Sequence, residues 1–141
     1  MRYLLDTCVL AALTKPGERH GVRRFLRQTK DEDLFVSVLV LGEIAKGVAL
    51  LDESRRKAEL AGWLSEMETR FAGRILPIGN ATAHIWAELT AWGKRAGSPV
   101  PVVDGLIAAT ALEHRCSVVT RNVRHFRAAG VRVENPWEGD A

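Results

Sequence analysis

Short apolar runs alternate with longer segments of helical spacing along the whole chain, and that alternation leaves few folds open. The runs Arg2 to Asp6, Leu34 to Ser37, Ile75 to Ile78, Ser117 to Thr120 and Val131 to Glu134 have the length and apolar content of strands buried on both faces. Parallel strands need a crossover between them, and the intervening segments supply helices. The expected fold class is α/β, a mainly parallel central sheet of about five strands flanked by helices on both faces.

The helical segments follow in order. Val9 to Leu13 reads as a short helix and Lys15-Pro16-Gly17 as a turn. Val22, Phe25 and Leu26 then form the buried stripe of a helix whose opposite face carries Arg19, Arg23, Arg24 and Arg27. Leu39 to Leu50 is the next helix. Asp52 to Phe71 is amphipathic, with Leu60, Leu64, Met67 and Phe71 at helical spacing. Asn80 is placed to cap a helix with Ile85, Trp86 and Leu89 on its apolar face, before Gly93 and Gly97 weaken the pattern. Pro99 and Pro101 impose an irregular entry to the helix Gly105 to Glu113, which Asp104 opens. There is no internal repeat and no linker, so residues 1–141 read as one domain.

Composition narrows the function classes. The formal charge of +3, from 20 basic and 17 acidic residues, fits contact with a polyanion without requiring it. No apolar run approaches the roughly 20 residues of a membrane span, and Asp6 interrupts the first one, so a soluble, cytoplasmic protein is expected. Cys8 and Cys116 are too few for a disulfide framework and lack paired zinc spacing; both are expected as small core residues. Trp63 and Trp86 fall on apolar helical stripes, and none of the four tryptophans is assigned to RNA stacking. His20, His84, His114 and His125 show no ligand spacing and receive no role.

Three acids carry the chemistry. Asp6 stands where the first strand ends, Glu43 lies near the start of the third helical segment, and Asp104 opens a late apolar helix. Carboxylates so far apart in sequence are costly to bring together without a cation. A shared hard divalent ion is the natural inference, since magnesium and manganese prefer oxygen ligands. The competing reading is that each acid is an ordinary solvated cap.

The stretches Leu4-Leu5-Asp6-Thr7-Cys8-Val9-Leu10, Ser37 through Ile44, Val103-Asp104-Gly105-Leu106-Ile107-Ala108-Ala109 and Thr120-Arg121-Asn122-Val123-Arg124-His125-Phe126 resemble the successive motifs of PIN-domain proteins. The closing Asn135-Pro136-Trp137 is similar to the end of the FitB-like branch of VapC toxins. This resemblance implies a PIN fold and a metal-dependent ribonuclease, the toxin of a toxin–antitoxin pair. It implies that Asp6, Glu43 and Asp104 are the catalytic acids and hold Mg2+ or Mn2+, with Thr7 supporting the first by hydrogen bonding. Asn122 departs from the pattern, standing where many members have a fourth acid, and its amide adds no negative charge. His125 likewise replaces an Asp found in many relatives. The implied partners are an RNA substrate, a cognate VapB- or FitA-like antitoxin, a second copy of the chain, and DNA only through the antitoxin, in a larger hetero-oligomer.

Around these acids, Thr120 and Asn122 are supporting residues or ligands, and Arg121 is either a contact for an RNA phosphate or a surface cation. Arg115, Arg124 and Arg127 add positive charge nearby, and the row Arg19, Arg23, Arg24 and Arg27 is either a phosphate track or a solvated helix face. Two further readings differ in class. One is a PIN scaffold with weak or no catalysis, serving in a DNA-binding regulatory complex; the other is a phosphatase or receiver-like phosphate-binding domain, which leaves the later motifs unexplained.

Overall fold

The computed structural model describes residues 1–17 and 20–138, and in it the chain forms strands β1 (Arg2–Leu5), β2 (Leu34–Ser37), β3 (Ile75–Leu76), β4 (Cys116–Val119) and β5 (Val133–Glu134). They lie in the order β3-β2-β1-β4-β5, and every neighbouring pair is parallel. The helices are α1 (Thr7–Ala12), α2 (His20–Gln28), α3 (Val38–Ala49), α4 (Arg55–Arg70), α5 (Asn80–Arg95), α6 (Val102–His114) and α7 (Val123–Ala128). All five expected strands are present. The edge strands β3 and β5 are shorter than their apolar runs, because each pairs on one side only.

Strand order dictates where the helices go. From β1 through β2 to β3 the chain steps toward one edge of the sheet, and from β3 to β4 and β5 it steps the other way. Right-handed crossovers then place α1 to α4 on one face and α5 to α7 on the other. The packing agrees: α1 lies on α3 and α3 on α4, while α5 lies on α6 and α6 on α7. Covered on both faces, the sheet buries Leu4, Leu5, Val36, Val118 and Val119 completely, which is why these strands read as continuous apolar runs. Met67 and Phe71 enter the same core from α4, as their helical spacing predicts.

Four local details differ from the sequence reading. Asn80 begins α5, but Gly79 is its cap: the Gly79 N–H donates to the Thr82 hydroxyl at 3.1 Å, and that hydroxyl donates to Glu113 on α6. Gly93 does not end the helix. It lies where a Cβ would come 3.0 Å from the Ser98 carbonyl oxygen, so the following turn folds back closely against it. The helix α6 starts at Val102, with Pro101 as its cap, so Asp104 sits inside the first turn, where the helix dipole favours a negative charge. The six-residue α7 had no sequence counterpart, having a single buried residue, Phe126, and no repeating stripe. Arg19 of the basic row lies outside the described residues.

Candidate active site

Crossovers leave β1 and β4 toward opposite faces, and these neighbouring strands end side by side, which opens a crevice at the carboxyl edge of the sheet. Asp6 follows β1 and Thr120 follows β4. The Asp6 N–H donates to the Val119 carbonyl at 3.0 Å, continuing the sheet by one bond, and its side chain is 4% exposed. Both carboxylate oxygens are engaged: Oδ1 accepts the Thr7 N–H at 2.9 Å, capping α1, and Oδ2 accepts the Thr120 hydroxyl at 2.7 Å. Thr120 itself accepts the Asn122 N–H at 2.9 Å. The first acid is therefore fixed from two strands and a helix start.

The other two acids arrive from opposite faces. Glu43 lies in the second turn of α3, a helix that begins where Ser37 Oγ accepts the Leu39 N–H at 3.1 Å. Its Oε1 accepts the Thr7 hydroxyl at 2.6 Å. On the far side, Asp104 Oδ2 lies 2.7 Å from His125 Nδ1 on α7. Burial raises the proton affinity of Asp6 above that of an ordinary Asp, the Thr120 and Thr7 hydrogen bonds oppose this, and the negative charges of Asp104 and Glu43 add to it. The three acids thus share one electrostatic field. Their donors are all oxygen and their charges repel one another, a set that suits a hard divalent cation. Among the described residues, no three His, Cys, Asp or Glu side chains are gathered as they stand into a metal-holding group. Glu43 accepts from Thr7, and Asp104 meets His125.

The supporting residues divide in the same way. Thr7 joins two acids, its N–H to Asp6 and its hydroxyl to Glu43. Thr120 is fully buried against Asp6. Asn122 is exposed at the cap of α7, and it is the backbone N–H that joins the network. The Arg121 guanidinium lies 4.1 Å from the centroid of the Trp137 ring, a cation–π contact that holds the closing Asn-Pro-Trp segment beside the site. Arg121, Asn122, Val123, Arg124 and His125 line an adjacent recess of 310 Å3. Arg124 lines this recess beside His125, which contacts Asp104.

Two residues gained importance that sequence reasoning did not assign. His125, given no role, contacts Asp104, and no local spacing links positions 21 residues apart. Cys8, expected as a small core residue, does pack against the core, yet its Sγ also lies 3.5 Å from Thr120 Oγ1 and accepts the Arg121 N–H at 3.4 Å. Burial pushes its thiol pKa up, so Cys8 is a neutral wall of the site. Both cysteines are free.

An acid buried at the switch point of a parallel sheet, electrostatically coupled to two more on helices of opposite faces, defines an α/β protein with an acidic candidate site. The chain belongs to the PIN domain family, whose match covers residues 3–131. It is 38% identical over 135 residues to Toxin FitB of Neisseria gonorrhoeae, covering 95% of this chain and 97% of that protein. It is 33% identical over 136 residues to VapC ribonuclease Y4jK of Sinorhizobium fredii, covering 96% and 97%. The structure of FitAB bound to an IR36 DNA fragment superposes with a TM-score of 0.92 at 36% identity, over 96% of each chain. The likeness expected from the ordered motifs and the closing Asn135-Pro136-Trp137 is borne out.

Proposed function

We propose that this chain is a metal-dependent endoribonuclease, the toxin of a VapBC-like type II toxin–antitoxin pair. The observation that carries the reading is the buried Asp6 at the switch point, coupled electrostatically to Glu43 and Asp104. Relatives named as a toxin and as a VapC ribonuclease support it.

Asp6, Glu43 and Asp104 are the residues that would hold Mg2+ or Mn2+. Such an ion, when bound, lowers the pKa of a water ligand and neutralises charge that builds on the phosphate and its leaving oxygen. The chain's own groups set up the rest. Thr120 and the Thr7 N–H orient the Asp6 carboxylate, the Thr7 hydroxyl orients Glu43, and His125 orients Asp104. Arg121, steadied by Trp137, offers its guanidinium to an RNA phosphate. Water attacks phosphorus in line, a site carboxylate takes the water proton, the bond to the 3′ oxygen breaks and that oxygen takes a proton from solvent, leaving a 5′-phosphate and a 3′-hydroxyl.

A cognate VapB- or FitA-like antitoxin is the partner, and DNA is reached through it, as the DNA-bound FitAB complex suggests by likeness. A homodimer, a larger assembly with the antitoxin and a cytoplasmic location belong to the same reading. Among the described residues, no helix is long and apolar enough to cross a membrane.

The test is cleavage of total RNA by the purified chain with Mg2+ or Mn2+, beside Asp6→Asn and Asp104→Asn. Metal-stimulated cleavage by the wild type alone is expected. Full cleavage by either variant would overturn the site. The neutral Asn122 favours a second reading, a weakly active subunit of the regulatory complex; antitoxin-dependent DNA binding without any cleavage by the wild type would establish it.

A further inference from the structure

Away from the acids, Leu13 after α1, Arg23, Leu26 and Arg27 of α2, and Trp63 and Arg70 of α4 enclose a recess of 440 Å3. Its size falls within the roughly 300–1,000 Å3 of small-molecule pockets. The lining holds three arginines and no acid. Arg23 and Arg27 are four residues apart on α2, where like charges on one helix face repel. Arg70 reaches Asp31 at 3.3 Å, an exposed pair that leaves the recess net positive. The remaining wall is apolar: Leu13, Leu26 and Trp63 are half-buried and pack against the core.

We propose that this recess is an RNA subsite that takes one nucleotide of a single-stranded substrate, its base against Trp63 and the leucines and its flanking phosphates on Arg23, Arg27 and Arg70. Guanidinium groups match phosphate oxygens through paired N–H donors. Arginines beside an aromatic wall are the combination by which proteins hold single strands without reading their sequence. Asp6 caps one end of α1 and Leu13, in the recess lining, caps the other, six helical residues or about 9 Å along the helix, so the recess is a second contact set back from the acids. The subsite rests on the ribonuclease reading and names how that enzyme grips its substrate away from the scissile bond.

The experiment measures binding of a labelled single-stranded RNA oligonucleotide to the Asp6→Asn chain across a salt series, with and without Arg23→Gln/Arg27→Gln, and separately with Trp63→Leu. The double substitution is expected to weaken binding about tenfold or more and to flatten the logarithmic salt slope by about 1.4, two phosphate contacts at about 0.7 each. Trp63→Leu should weaken binding with the slope unchanged. Thermal melts check that each variant folds. Unchanged affinity and slope in the double variant would overturn the subsite, as would failure of the Asp6→Asn chain to bind RNA at all. Unchanged RNA binding with weakened binding of an acidic synthetic peptide would reassign the recess to a peptide. Because cleavage by the wild type is measured separately, loss of the subsite and loss of the ribonuclease reading are told apart.

Discussion

His125 Nδ1 stands 2.7 Å from Asp104 Oδ2, tying the short helix α7 to the first turn of α6. On the proposed function, the imidazole sets the orientation of the Asp104 carboxylate. Loss of such an outer partner typically costs 10- to 100-fold in metal affinity or activity, roughly. His125→Ala is expected to lose that much in cleavage and in Mn2+ affinity by calorimetry, while His125→Asn, which keeps a donor, recovers part of both. Equal, unimpaired metal binding in all three chains would remove His125 from the site.

Asp6 links function to stability with opposite signs. Its carboxyl holds its proton to higher pH in the folded chain than at the ordinary value of 3.8, chiefly because it is buried. Between those two values the folded state binds more protons than the unfolded one, so stability is greatest below 3.8 and falls as pH rises through the folded value. Wherever Asp6 is ionised in the folded chain, its burial is a cost. Asp6→Asn should therefore lose this part of the pH dependence of the melting temperature, and be inactive. A variant whose melting temperature keeps the wild-type pH dependence would contradict the assignment of burial as the dominant influence.

A divalent ion should offset that same cost. With the three acids holding it in the folded chain alone, an ion at a hundred times its dissociation constant stabilises by about 2.7 kcal/mol. Addition of Mg2+ or Mn2+ at neutral pH is expected to raise the melting temperature of the wild type, and chelation to reverse it. Asp104→Asn should show a much smaller rise. Equal rises in both chains would place the ion elsewhere.

Gly105 follows Asp104 directly and lies where α5 and α6 pack closely. A Cβ there would come 3.2 Å from Cδ1 and Nε1 of Trp86. Gly105→Ala is expected to destabilise by about 1–3 kcal/mol in denaturant titration, the usual cost of overpacking, and to reduce cleavage by moving the turn that carries Asp104. Trp86→Leu in the same chain should restore part of both, because it frees the space.

The sheet was legible because burial on both faces leaves continuous apolar runs, and Leu4, Leu5, Val36, Val118 and Val119 are such runs. Helix ends were less so. Gly79 rather than Asn80 caps α5 because Thr82, three residues on, supplies the acceptor, and a glycine carries no side-chain signal. The short α7 escaped notice for want of a repeating stripe. Among the site residues, Asp6 could be placed from its strand end and Thr7, Glu43 and Asp104 from their motifs, whereas His125 and Cys8 had no local mark of what they touch.

What the amino-acid order determined by itself is the alternation of strands and helices and the acid at the end of β1, since apolar periodicity and chain stiffness act over a few neighbouring residues. Tertiary structure alone decided that α3 and α6 approach Asp6 from opposite faces, that His125 meets Asp104, and that arginines of α2 and α4 share a recess with Trp63. Charge coupling and hydrogen bonding depend on distance in space, and the direction of each crossover sets that distance.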